Sequence, residues 1–192
     1  MRKQGKVFVI SGPSGSGKTT LRDAVLKDRA LKKKFAKSVS FTTRRSRSGE
    51  RNGRDYFFIT LPEFKRLLKV KKILEWTRYL GYYYATNRDF VTGKLKEGKS
   101  IILCLDFKGA ACVKRLFPAD AVTIFIKPPS LKALHQRISR RCSHTKKEEV
   151  ARRVKLAREE LKLAHKFDHR LVNKDLPQAV KELKGIILGE LK

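Results

Sequence analysis

Ser11-Gly12-Pro13-Ser14-Gly15-Ser16-Gly17-Lys18-Thr19-Thr20 contains, between Gly12 and Thr19, every fixed position of the pattern G-x-x-x-x-G-K-[ST]. Its flanks give the pattern a structural context. Before it, Val7-Phe8-Val9-Ile10 is a short apolar run rich in β-branched residues, the composition of a buried strand. After it, Leu21, Ala24, Val25 and Leu26 recur at helical spacing. Strand, glycine loop and helix together make a P-loop. The glycines let several backbone N–H groups converge on one anion, and the helix N-terminus adds partial positive charge there. In such a loop Lys18 reaches the β- and γ-phosphates of a nucleotide, and the Thr19 hydroxyl is placed to ligate Mg²⁺.

The 192 residues are 41% hydrophobic, enough for one core and one domain with movable parts. No apolar run reaches the roughly 18 residues of a membrane span. The opening residues Met1 to Lys6 lead straight into the first strand, with no apolar signal-peptide region. Cys104, Cys112 and Cys142 are an odd count without metal-ligand spacing, which predicts free thiols in a reduced, cytoplasmic protein. Lys and Arg number 47 against 18 Asp and Glu, a net charge of +29 spread along the whole chain. A field of that sign attracts polyanions without selecting one, and a solvated basic surface has the same composition.

Working outward, Phe57-Phe58-Ile59 reads as a short strand, and Pro62, Glu63, Phe64, Leu67 and Leu68 suit a helix with proline near its start. Ile101 to Leu105 is a buried strand that ends in the carboxylate of Asp106. Val122 to Ile126 is another, stopped by Pro128-Pro129, after which Ser130 caps a helix carrying Leu131, Leu134 and Ile138. A long charged helix is expected from about Glu148 to Lys166, then a strand at Leu171-Val172-Asn173 and a terminal helix from Leu176 to Leu191. Alternation of strands and helices predicts an α/β fold with a parallel sheet covered on both faces. Ligands bind beyond the carboxyl ends of such strands, where both the P-loop and Asp106 lie.

Several clusters carry chemistry. At the end of its strand, Asp106 suits a magnesium-holding carboxylate, or a helix cap ahead of Gly109-Ala110-Ala111, or both. Arg44 and Arg47, in a segment without core periodicity, can grip a second phosphate bidentately. The tyrosines of Asp55-Tyr56-Phe57-Phe58 and Gly81-Tyr82-Tyr83-Tyr84 offer hydroxyls to a phosphate or rings to a hairpin. Glu75, between Leu74 and Trp76, is a carboxylate flanked by apolar residues, either exposed or holding a specific donor, and one donor set that fits it is the N1–H and N2–H₂ edge of guanine. Arg137, Arg140, Arg141, Arg152 and Arg153 flank a polar stretch, Cys142 to Glu149. Arginines so placed neutralise charge on a transferred group from a closing lid, or belong to a solvated helix.

In order and spacing these segments resemble the guanylate kinase family over nearly the whole chain. The resemblance rests on the P-loop, on Ser38-Val39-Ser40-Phe41-Thr42-Thr43-Arg44 with Arg47, Gly49, Glu50 and Gly53, and on Leu74-Glu75-Trp76. Asp106 with Gly109, Pro128-Pro129-Ser130-Leu131, Glu159-Glu160-Leu161 and Val172-Asn173 complete it. It implies a P-loop three-layer core with a parallel sheet (1–37, 93–133 and 154–192), a small nucleotide-monophosphate-binding subdomain (about 38–92) and a mobile lid (about 134–153). It implies transfer of the γ-phosphoryl group of ATP to GMP or dGMP, with Mg²⁺ held by Thr19 and, partly through water, Asp106. Gly12, Pro13, Ser14, Gly15, Ser16, Gly17, Lys18, Thr19 and Thr20 would bind ATP. Ser40, Arg44, Arg47, Tyr56 and Tyr84 would surround the acceptor phosphate, with Glu75, Thr86 and position 104 at the base. Lys18, Arg44, Arg141 and Arg153 would be catalytic. A binding module without turnover, or a kinase of altered base specificity with non-specific polyanion attraction, is the alternative. Monomer and homo-oligomer both stay open.

The chain departs from the family pattern at four places. Cys104 stands where a second acidic residue near guanine is usual, which predicts weaker base discrimination because a thiol is a weak acceptor. Ala85 replaces a glycine and Lys108 a glutamine. The lid sequence has lost its glycine and much of its acidity, and its register leaves Arg140 and Arg152 one step from Arg141 and Arg153.

Overall fold

The computed structural model describes residues 4–141 and 147–192, with the backbone alone at 141 and 147. In chain order the elements are β1 (Val7–Ser11), α1 (Lys18–Val25), α2 (Arg29–Lys34), β2 (Phe35–Lys37), β3 (Phe41–Thr42) and β4 (Phe57–Phe58). Next come α3 (Leu61–Lys69), β5 (Ile73–Tyr79), β6 (Tyr82–Asn87), α4 (Arg88–Lys96), β7 (Ser100–Cys104) and α5 (Phe107–Leu116). The chain continues with β8 (Ala121–Lys127), α6 (Leu131–Arg141), α7 (Lys147–Lys162), a 3₁₀ turn (Ala164–Lys166), β9 (His169–Val172) and α8 (Leu176–Glu190).

All of β1 is buried because both its edges and both its faces are covered. It pairs in parallel with β7 on one side and β8 on the other, at the centre of a five-stranded sheet ordered β2-β7-β1-β8-β9. Strand alternation divides the core. Val7, Val9, Ile101, Leu103 and Phe125 pack against α4 and α5 through Val91, Leu95, Ala110 and Val113. Phe8, Ile10, Ile102, Ile124 and Ile126 pack on the other face against α1 and α8 through Leu21, Val25, Leu183 and Ile187. The parallel sheet with helices on both faces is thus the predicted one.

A second, mixed sheet is ordered β4-β3-β6-β5. Its β5–β6 hairpin turns through Leu80 and Gly81, both at positive φ, the backbone of a two-residue turn whose twist suits the flanking strands. Phe64 of α3 covers this sheet, in one cluster with Ile73 of β5 and Ala85 of β6. Helices α6 and α7 pack on each other through Leu134, Ile138, Val150 and Ala157.

One helix boundary differs from expectation. The long charged helix ends at Lys162, not Lys166, and continues as the 3₁₀ turn, with Lys166 N–H donating to Leu163 O at 3.1 Å. The tighter turn swings Phe167 beneath the sheet, 5.0 Å from the ring of Phe125. The strands β2 and β6 and the helix α2 carry little sequence signature; β2 has only three residues.

Beyond β9, Asn173 ties the last strand to the glycine loop. Its N–H donates to Lys127 O at 2.8 Å, and its side-chain amide donates to Ser16 O at 2.8 Å, both away from solvent. Asn173→Ala leaves that carbonyl without its donor, so a loss of about 1–3 kcal/mol is expected, read as a fall of several degrees in Tm.

Candidate active site

The glycine loop leaves β1 and closes onto the N-terminus of α1. Gly17 is the cap of that helix at φ 96°, and a Cβ there would lie 2.3 Å from the Asn173 amide nitrogen, so both backbone and space demand glycine. The Lys18 ammonium folds back over the loop, donating to Gly12 O at 2.6 Å and Pro13 O at 3.0 Å. Loop, sheet ends, β5–β6 hairpin and α6–α7 pair enclose one cavity of about 750 Å³.

On the far wall the hairpin supplies an acid. Between the pairs Ile73↔Asn87 and Trp76↔Ala85 the β5 strand carries one extra residue, a β-bulge. Bulges re-aim side chains. Here Ile73, Leu74 and Glu75 are buried in succession, and from Glu75 onward alternate residues Glu75, Thr77 and Tyr79 face the cavity. Glu75 is 5% exposed and accepts a hydrogen bond from the Thr86 hydroxyl. Burial pushes its carboxyl up to about 7; the Thr86 bond opposes this and the neighbouring Asp106 carboxylate adds to it. Glu160 of α7 is likewise pushed up to about 7 by burial, with Lys18 opposing and Asp106 adding.

Asp106 caps α5, its Oδ1 accepting from Gly109 N–H at 2.8 Å, while its Oδ2 accepts from the Thr77 hydroxyl at 2.6 Å. The capping role is therefore present. The carboxylate also lines the cavity with the Thr19 hydroxyl. These are hard oxygen donors, few in number, the donor set that suits Mg²⁺ when substrate phosphates supply the remaining ligands.

Arg44 is 9% exposed, and its Nη2 meets both Glu50 oxygens at 3.0 and 2.9 Å. Its guanidinium lies over the Tyr56 and Phe58 rings at 5.5 and 5.8 Å. From the opposite side α7 brings Arg153, buried and held by Glu149, and α6 brings Arg137, which donates to Asn173 O at 3.0 Å. At the floor, burial raises the pKa of the Cys104 thiol and keeps it neutral. Beside it stands Arg22, whose Nε donates to Asp23 at 2.9 Å.

Of the expected P-loop positions all but Pro13 and Ser16 line the cavity. Ser16 is fully buried, with no partner for its hydroxyl among the described residues. Ser40, Arg44, Arg47, Tyr56, Glu75, Tyr84 and Cys104 all reach the cavity, but Thr86 stands behind Glu75, fully buried. The Arg141 side chain and the 142–146 stretch, Cys142 included, lie outside the described residues. Sequence reading did not single out Arg22, Asp23, Thr77 or Tyr79, which line the same cavity. Helical spacing could have found two of them, since Arg22 follows Lys18, and Asp23 follows Thr19, by one turn.

A family model for guanylate kinase matches residues 4–190. The guanylate kinase of Caldanaerobacter subterraneus subsp. tengcongensis is 41% identical over 191 residues, 99% of this chain and 90% of that protein. The Bacillus subtilis guanylate kinase is 39% identical over 190 residues, 99% of this chain and 91% of its own length. The crystal structure of guanylate kinase from Anaplasma phagocytophilum superposes with a TM-score of 0.82 at 28% identity, covering 99% of this chain and 88% of that one.

Glu75 and Glu160 hold their protons more tightly folded than unfolded. Their contribution to stability is complete below the ordinary glutamate value of 4.5 and is lost as pH rises through about 7. Glu75→Gln removes one of these two losses. Between pH 5 and pH 8, Tm of the variant should therefore fall less than that of the wild type, as followed by thermal melting at matched ionic strength.

Proposed function

The chain belongs to the guanylate kinase family and is an ATP:GMP phosphotransferase, and we propose that the P-loop side of its cavity holds ATP while the Glu75 side holds GMP. One observation carries this reading: a P-loop with Lys18, Thr19 and Asp106 in place shares a single cavity with a buried carboxylate and the arginines Arg44 and Arg47.

The roles follow from charge and position. Backbone N–H groups from Gly12 to Thr20 cradle the ATP phosphates, and Lys18 moves from its loop carbonyls to the β- and γ-phosphates. Thr19 and Asp106 would hold Mg²⁺, which when bound neutralises charge on the β/γ oxygens. Arg44, Arg47, Ser40, Tyr56 and Tyr84 bind the GMP phosphate, Glu50 keeping the Arg44 fork oriented. Glu75, ionised on binding, accepts from the guanine N1–H and N2–H₂ edge, and Thr86 holds its carboxylate in place. Arg153 and Arg137, which line the same cavity, and Arg141 on α6 stabilise the migrating phosphoryl group. A general base is unnecessary because the acceptor phosphate oxygen is already anionic. Catalysis is positioning and charge stabilisation, and closure of the monophosphate-binding subdomain (about 38–92) and the lid (about 134–153) over both nucleotides excludes water.

The site works in the cytoplasm in this reading; among the described residues no helix is long and apolar enough to cross a membrane. The +29 charge adds a salt-sensitive attraction for polyanions without specificity.

Base discrimination should be relaxed, because a neutral thiol stands where a carboxylate is expected at position 104, and Asp23, a carboxylate that acts on it, is already engaged by Arg22. A hydrogen bond to a charged group contributes about 1.5–3 kcal/mol, or roughly ten- to hundredfold in affinity.

Release of ADP from Mg-ATP against GMP, dGMP, IMP and AMP tests the reading, reported as kcat/KM. GMP or dGMP should be preferred, Lys18→Met should lower kcat by about 10²–10³-fold or more, and Glu75→Gln should raise the GMP KM with a smaller effect on kcat. Turnover of no acceptor would overturn the proposal in favour of a binding module. Separately, Cys104→Asp should sharpen preference for GMP over IMP about tenfold; an unchanged ratio would show that position 104 does not read the base.

A further inference from the structure

The hydroxyl of Thr77 makes a direct bond between the acceptor wall of the cavity and Asp106, the carboxylate that would hold Mg²⁺. We propose that Thr77 is a positioning residue that couples occupancy of the GMP pocket to the orientation of Asp106, an inference that rests on the reading of the Glu75 side as the acceptor pocket.

Both Asp106 oxygens are tied, and the two ties come from different bodies of the fold. Oδ1 is held at 2.8 Å by the N–H of Gly109, within the core helix α5. Oδ2 is held at 2.6 Å by the Thr77 hydroxyl, on β5 of the small sheet. Thr77 and Glu75 lie on the same face of one strand, a single alternation apart.

Gly109 links the two carboxylates sterically. A Cβ on it would fall 2.7 Å from Glu75 Oε2 and 3.3 Å from Asp106 Oδ1, so only a residue without a side chain lets them approach the same helix end. Over two residues an extended strand is stiff, and a bond of 2.6 Å has no slack. When guanine draws Glu75, the displacement of β5 must stretch, rotate or release Asp106 Oδ2.

The reverse holds as well. A metal-nucleotide complex that claims Asp106 alters the pull on β5 and thus the affinity for GMP, by the same factor in both directions. A residue that only filled space or satisfied a buried acceptor would change stability and leave this coupling intact.

The single tryptophan of the chain provides the readout. Trp76 lies between Glu75 and Thr77 and packs on Phe64 and Tyr83 at 5.9 and 5.6 Å. Its fluorescence is the probe for GMP binding without turnover, with calorimetry as the second readout. The full chain would be titrated with GMP in the presence of saturating Mg-ADP and, separately, of ADP with EDTA. The same titrations would be made on Thr77→Val, which keeps the shape and loses the donor, and on Thr77→Ser, which keeps the donor.

The wild type and Thr77→Ser should bind GMP about fivefold or more differently in the two conditions, while Thr77→Val should bind it equally in both. If Thr77→Val keeps the wild-type difference, whatever its Tm, Thr77 is structural only and the proposal is overturned. It is equally overturned if the wild type binds GMP with no dependence on the metal. If the wild type binds no GMP in either condition, the acceptor-pocket reading fails and takes the proposal with it.

Discussion

The site depends on a strand that cannot move. β1 is hydrogen-bonded on both edges and packed on both faces, and the glycine loop is its direct continuation. A phosphate cradle made of backbone N–H groups works only if those groups point correctly before the anion arrives, because reorienting dipoles on binding would consume the stabilisation they offer. Fixing the loop at one end by β1 and at the other by α1 is not enough. The Asn173 amide, carried by the end of β9, also clamps Ser16 O. The last strand in the sequence thereby helps to shape the first loop.

Around this fixed point the molecule handles charge in opposite ways. The outer surface is strongly cationic, which draws nucleotides in at low ionic strength. Inside, desolvation raises the Glu75 and Glu160 carboxyls to about 7, and Asp106, which adds to both shifts, is itself bound to two donors. A carboxyl poised near 7 is expensive to ionise in an empty pocket and favourable to ionise when a donor edge arrives, so part of the cost of burial is recovered only by the correct ligand. Arg44 shows the complementary arrangement: a buried cation preoriented by Glu50 and by two aromatic faces.

Elements with strong local signatures were legible directly. The β1 run, the P-loop, the β7 strand ending at Asp106, the β8 strand before Pro128-Pro129 and the terminal helix all appear as read, because their hydrophobic period and punctuation are contained in a few consecutive residues. The helix through Lys166 was over-extended, since helical propensity continues past Lys162 while the core pulls Phe167 inward through a tighter turn. The short strands β2 and β3 have no period to detect; their existence is decided by neighbours distant in sequence.

The sequence alone determined the family, the phosphate-binding loop with Lys18 and Thr19, the carboxylates Glu75 and Asp106, and the arginine clusters, since each is an identity at a position or a spacing along the chain. Only the tertiary structure decided how they meet. The bulge in β5 turns Glu75 inward, Thr77 reaches an aspartate 29 residues away, Thr86 stands behind the acid and not beside the cavity, and Arg22 lies against Cys104. The physical reason is that these contacts join elements distant in the chain, where sheet register, one inserted residue and the space left by a missing Cβ set distances that no local propensity encodes.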